Sequence, residues 1–128
     1  MAETPITPPE GQKTSTGLEP NTAALLAYLL TWVTGLIFFL IEKENKYVRF
    51  HAMQAILLGV AIIVIWIIIF IVDIILGYIP ILGGIIALLL SLVFWIGSLV
   101  VWILMMVKAY QGQMYKLPVI GDIAERNV

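Results

Sequence analysis

The chain contains no cysteine, and that one absence excludes disulfides, thiolate metal sites and thiol catalysis together. A single histidine, His51, leaves almost no scope for an all-imidazole metal centre. Charge is scarce as well: Asp, Glu, Lys and Arg make up 12% of the 128 residues, against 62% hydrophobic ones. A soluble domain of this size could not cover so much apolar surface with polar groups. Paired acids, HExxH and Ser-His arrangements are all missing, so neither an enzyme nor a resident metal or cofactor is expected. The net charge of −1 is uninformative, because in a membrane protein the placement of charges matters and their sum does not; no nucleic-acid partner is expected.

What fills the chain instead is uncharged sequence. Pro20 to Ile41 runs 22 residues without a charge, Ala55 to Val72 runs 18, and Ile74 to Val107 runs 34. A bilayer's hydrocarbon is about 30 Å thick, so roughly 20 helical residues cross it. Each run, with its flanks, predicts one membrane helix. The expected fold is therefore all-α, a polytopic integral membrane protein with three transmembrane helices at about 22–41, 53–76 and 84–107. The second run is densely β-branched, but a lone strand cannot satisfy its backbone in lipid, so helix is the expectation. The third cannot hold two crossings, because 34 helical residues reach only about 51 Å. Pro20 and Pro80 stand at span ends, and no proline lies inside a predicted span.

Residues 1–19 are rich in Pro, Thr and Glu and lack an apolar run. They read as a disordered tail, neither a cleavable signal nor a transit peptide, ahead of a single membrane domain over 20–128. Around Asn45, apolar and basic residues at helical spacing predict a short interfacial lead-in helix before the second span. A short amphipathic tail is expected at the C-terminus. With three spans, the first loop and the C-terminal tail share a side carrying Lys43, Lys46, Arg49, Lys108, Lys116 and Arg126, leaving only Lys13 opposite. The positive-inside rule then places the protein in a prokaryotic cell membrane with its N-terminus outside and C-terminus cytoplasmic.

Lipid gives helices no hydrophobic drive to associate, so small residues that permit close approach mark the seams. Ala23, Ala27, Thr31 and Gly35 recur every fourth residue in the first span. Gly83, Ala87 and Ser91 do so in the third, and Ala55 and Gly59 in the second. These predict either an internal bundle or a face for a second copy or another membrane protein. Trp32, Trp66 and Trp95 fall near mid-span, where each indole needs a partner; Thr31, Thr34, Ser91 and Ser98 are the available acceptors. They read as structural cross-links or as a substrate-lining aromatic surface.

Two polar groupings remain. Asp73 is the one charge inside a predicted span, about a turn from its end, and is either solvated and capping or a handler of protons or cations. Glu42, Lys43, Lys46, Arg49, His51 and Gln54, joined by Lys108, form a collar at the inner interface. It reads as a charged anchor touching anionic lipid, or as a docking site for a partner protein.

At these residues the chain is similar to a known group. TGLEPNTAALLAYLLTWVTGLIFFLIEKENKYVRFHAMQAI and KAYQGQMYKLPVIGDIAE resemble a small prokaryotic membrane family of unknown function. That family is related to the Tic-twenty subunit of the chloroplast inner-envelope import translocon. The resemblance covers Thr16 to Glu125 and rests most on Arg49-Phe50-His51-Ala52-Met53-Gln54 and on Lys108, Ala109, Gly112, Pro118 and Gly121. It implies a helical membrane protein with a cytosolic collar, and it brings no mechanism. The expected role is a non-enzymatic scaffold or accessory subunit of a membrane complex, translocation-associated by resemblance. The alternative is an oligomeric channel or small transporter using Asp73.

Overall fold

The computed structural model describes residues 13–128, so most of the expected disordered tail lies outside the described residues. The rest is helical: α1 (Pro20–Leu29), α2 (Trp32–Ile41), α3 (Lys46–Leu76), α4 (Leu82–Tyr110) and α5 (Ile120–Arg126). Among the described residues, α3 and α4 are the two helices long and apolar enough to cross a membrane. At 1.5 Å per residue they extend about 46 and 44 Å.

The expected continuous span over 22–41 is not formed. The chain breaks at Leu30-Thr31, and α2 folds back toward the end from which α1 came. Four contacts establish the course. Asn21 donates to the Tyr110 carbonyl at the C-terminal end of α4, and the Trp102 indole donates to the Tyr28 carbonyl further along. Beyond the break, Gly59 of α3 lies against Trp32, and Arg49 near the start of α3 donates to the Phe39 carbonyl. So α1 runs antiparallel to α4, and α2 runs antiparallel to α3. Ser15 closes the figure: its N–H donates to the Glu42 carboxylate at 2.8 Å, so the residues before α1 and after α2 meet. Residues 13–19 are accordingly tied to the 42–45 loop, where a free tail was expected. The N-terminal segment, that loop and the C-terminal tail all lie at one end of the molecule, in place of the opposed ends a third crossing requires.

Thr31 sits at φ 49, a region a β-branched residue rarely adopts. Several of the freed backbone groups find other partners. The Thr34 hydroxyl donates to the Ala27 carbonyl and accepts from the Leu30 N–H, while Tyr28 O takes both the Thr31 N–H and the Trp102 indole. A non-helical turn in an apolar surround is tolerable only with such replacement partners. Trp102→Phe removes the indole donor and should lower thermal stability in detergent by about 1 kcal/mol. Trp66→Phe serves as the comparison, and equal melting of the two variants would refute this capping role.

No separate lead-in helix precedes the second span, because α3 starts at Lys46 and continues unbroken to Leu76. Asn45 caps it by accepting from the Val48 N–H at 3.1 Å. The starts of α4 and α5 share a device. In Pro80-Ile81-Leu82 and Pro118-Val119-Ile120 the middle residue has φ 63 or 64, and the third donates to the proline carbonyl at 2.6 Å. Each is a tight three-residue turn followed by a glycine in close contact, Gly83 on the Leu76 carbonyl and Gly121 on Lys116.

The core is one-sided. Tyr28, Tyr47, Phe50, Ala52, Ala55, Met105 and Ala109 are fully buried around α1 and the tail end of α3 and α4. Between residues 60 and 104 only Ile69 and Gly83 are buried. The far half of the molecule is two helices side by side, studded with exposed Ile, Leu and Val.

Candidate functional site

On α3, Tyr47, His51 and Gln54 are spaced i, i+4 and i+7, which puts them on one face. That face meets α1 on one side and the tail after α4 on the other. Tyr28 Oη lies 2.8 Å from His51 Nδ1, and His51 Nε2 lies 3.0 Å from the Gln113 carbonyl. A carbonyl only accepts, so Nε2 carries the proton and Nδ1 accepts from the Tyr28 hydroxyl. Gln54 completes the set: its amide nitrogen donates to Tyr28 Oη and to the Tyr115 carbonyl, and its Oε1 accepts from the Leu117 N–H. Tyr47 donates to the Ala109 carbonyl at 2.6 Å. The Tyr28, Tyr47 and Phe50 rings stand edge-on to the imidazole, with centroids 5.5, 4.7 and 5.1 Å away.

His51 and Gln54 are fully buried, so they form no outward docking surface. The collar they were assigned to is in part an internal clamp that ties the C-terminal segment 113–117 to the α1–α2 hairpin. Every polar atom of His51 and Gln54 is engaged within this clamp.

Glu42 is also buried and joins the other side of the hairpin. Its Oε2 accepts from the N–H groups of Ser15, Glu44 and Asn45 at 2.8–3.1 Å. Burial pushes this carboxyl up, but the hydrogen bonds from Ser15, Asn45 and Glu44 together outweigh it and hold it below the usual carboxylate range. Such a group releases its proton more readily folded than unfolded. Its contribution to stability is therefore present at neutral pH and lost as the pH falls through the lower, folded value. Glu42→Gln should flatten the acid limb of a stability–pH curve; an unchanged limb would remove Glu42 from the account. Arg49 does not pair with this carboxylate. It donates to the Phe39 and Glu42 carbonyls at 3.0 and 2.7 Å, capping α2, and stacks on the Phe39 ring.

Lys43 and Lys46 remain exposed, and Lys108 is half-buried with its ammonium over the Tyr115 ring. Among the packing residues, Ala23 and Ala27 are buried with Val48 and Ala52, and Gly35 lies on Ala52 and Ala55. Thr31 leaves that row because it is the bend, and Ala87 is half-exposed. Of the tryptophans, Trp32 lies on Gly59, Trp66 meets Phe94 edge-on, and Trp95 is exposed. None of those three indoles donates a hydrogen bond among the described residues; of the acceptors expected for them, Thr34 bonds at the break, Ser91 bonds Asp73, and the Ser98 hydroxyl is buried without a partner. Trp102, which sequence reasoning passed over, is the one that does. Its only signal was a fourth tryptophan on the run that packs against the hairpin.

Asp73 stands apart from the cluster. Ser91 of α4 donates to its Oδ2 at 2.9 Å, and its Oδ1 is buried with no hydrogen-bond partner. A groove of about 660 Å³ opens between α3 and α4, lined by Ile65, Val93 and Val101 and closed at the tail end by Leu117 and Pro118. No three His, Asp or Glu side chains converge on a metal-sized site among the described residues.

Comparison with known proteins covers nearly the same stretch as this fold. Residues 19–124 match the magnetosome magnetite crystal formation protein family. The chain is 43% identical over 114 residues to the UPF0132 membrane protein MJ1443 of Methanocaldococcus jannaschii, covering 89% of this chain and 93% of the relative. It is 37% identical over 111 residues to a UPF0132 membrane protein of Archaeoglobus fulgidus, covering 87% of this chain and 97% of that one. No solved structure matches the chain.

Proposed function

The chain belongs to the magnetosome magnetite crystal formation protein family, alongside UPF0132 membrane proteins, and on that premise we propose a non-enzymatic integral membrane scaffold. In this reading α3 and α4 cross the bilayer, and the α1–α2 hairpin enters the inner leaflet and returns without crossing. Both ends are cytoplasmic, a revision of the three-span topology with an external N-terminus. All seven Lys and Arg residues fall in 13–49 or 108–126, so the positive-inside rule favours the folded-back arrangement over the through-span. The observation that carries the scaffold role is the clamp. The buried His51 and Gln54 side chains are consumed in holding hairpin and tail together, and what faces outward there is the exposed lysines and the termini. Lys43 and Lys46 would meet anionic lipid, and a membrane-protein partner or second copy would dock on the same face.

The family's name speaks of magnetite crystal formation. With no convergent acids among the described residues, the share of such a role proposed here is organising the membrane rather than contacting mineral. The resemblance to the Tic-twenty subunit would make the scaffolded complex a translocation machine. Both versions make the same first demand on topology.

The absence of cysteine makes that demand easy to test. Single cysteines placed at Ser15, Thr31 and Tyr78 are labelled in cells with a membrane-impermeant maleimide, before and after permeabilisation. Tyr78→Cys should label from outside, Ser15→Cys only after permeabilisation, and Thr31→Cys poorly in both. External labelling of Ser15→Cys would restore the third crossing. Extraction in native lipid then asks for the scaffold's partner; a bare monomer with nothing attached would defeat that role.

One observation favours a second reading. The orphaned Asp73 oxygen between two crossing helices is the kind of group that binds a proton or cation. An oligomer conducting through this position would lose flux in Asp73→Asn while keeping its fold, and unaltered flux would dismiss it.

A further inference from the structure

The molecule is not a cylinder. At the tail end four helices lie abreast, α1 and α2 beside the ends of α3 and α4, whereas the far end has α3 and α4 alone. Each of the ten-residue helices α1 and α2 spans about 15 Å, which is half of a 30 Å hydrocarbon core. The depths agree along α4, where Asn21 sits at Tyr110 and the break sits level with Trp102, eight residues or about 12 Å in. A helix with its side chains is about 10 Å across, so the hairpin roughly doubles the protein's cross-section in one leaflet. The burial pattern agrees: between residues 60 and 104 only Ile69 and Gly83 are buried and most of the others are exposed. The α5 helix widens that end further. It packs on α3, with Gly121 and Ala124 buried beneath it, and leaves Val119 exposed at the turn before it.

From this shape we propose that the protein is a membrane-curvature element: it favours bilayers in which the leaflet holding the hairpin is the convex one. The inference rests on the folded-back reading of α1 and α2. In a flat bilayer the wide end crowds the lipids of one leaflet and the narrow end leaves the other under-filled. Bending convex toward the tails relieves both. The ligand in this sense is a lipid surface of the right curvature.

The test uses the full chain with a single cysteine at Ser15 or at Asn127. Each is inserted from detergent into forming vesicles of phosphatidylcholine and phosphatidylglycerol in a fixed ratio, so that either orientation is open to it. The vesicles are separated by diameter, and each cysteine is labelled from outside with an impermeant maleimide. The expected result is that both cysteines label to the same extent, with the ratio of outward to inward molecules rising several-fold from the largest vesicles to the smallest. Equal labelling at both positions with no dependence on diameter, or an outward fraction that falls as vesicles shrink, overturns the curvature role and leaves the folded-back topology standing. Labelling in opposite proportions at the two positions overturns the topology, and the curvature role with it.

Discussion

Gly35→Leu should detach the hairpin from α3 and cost about 3 kcal/mol or more, at the upper end of what overpacking does. A Cβ at Gly35 would stand 2.9 Å from the Ala52 carbonyl, 3.0 Å from Ala55 Cβ and 3.1 Å from the Ile56 nitrogen. Two of those three are backbone atoms of a continuous helix and cannot rotate away, so α2 must move. With it would go the Thr34 hydroxyl that replaces the lost helical bonds at the break, and the Arg49 cap on the Phe39 carbonyl. The comparison is Gly97→Leu, where an added Cβ meets nothing within 4 Å. Melting in detergent should separate the two variants clearly. If both melt alike, the packing of α2 on α3 is not what holds the hairpin in place.

The other large effect is expected at Gln54. Leucine is close to it in volume but carries neither amide group. Gln54→Leu would strip a donor from Tyr28 Oη and the Tyr115 carbonyl, and an acceptor from the Leu117 N–H. Removing one side of a buried hydrogen bond costs about 1–3 kcal/mol, so the loss here is on the order of 3 kcal/mol, relieved in part as the tail opens to water. Opening is the readout. Lys116 lies in the clamped segment, and a fall of about 2 kcal/mol in the cost of releasing it raises its open population about thirtyfold. Tryptic cleavage at Lys116 in detergent or lipid should accelerate accordingly, while Lys46→Leu, at an exposed position, leaves it unchanged. Cleavage at the parental rate would mean that the tail is held by α5 and its own contacts, Lys116 to Asp122 and Glu125 among them.

These two positions mark where reading the sequence stopped. Gly35 was legible as a small residue in a seam, because close helix approach in lipid needs such residues at four-residue spacing. Its neighbours in that row, Ala23 and Ala27, could be assigned to packing for the same reason. What the row could not say is that Thr31 interrupts it. Gln54 and His51 were legible as polar residues at a helix start near the interface. Whether such residues face water, lipid or another segment depends on residues 113–117, which lie some sixty positions away and show no pattern that points back.

By itself the sequence determined the solvent and most of the secondary structure. Residues 55–107 carry one charge, Asp73, and no sequence so apolar can fold to a stable surface in water. The limits of α3 and α4 follow closely from the capping Asn45, from Pro80 and from Lys108. The confinement of every lysine and arginine to 13–49 and 108–126 was equally visible, and it is the feature that agrees best with those segments lying together. The tertiary structure decided the course of residues 20–41. Twenty-two uncharged residues are long enough for one crossing and equally long enough for two half-depth helices, and hydropathy is the same in both. The choice turns on whether something replaces the hydrogen bonds lost at the bend. Thr34 supplies part of that from nearby, but the Trp102 indole arrives from α4, seventy-four residues away, and only folding brings it to the Tyr28 carbonyl.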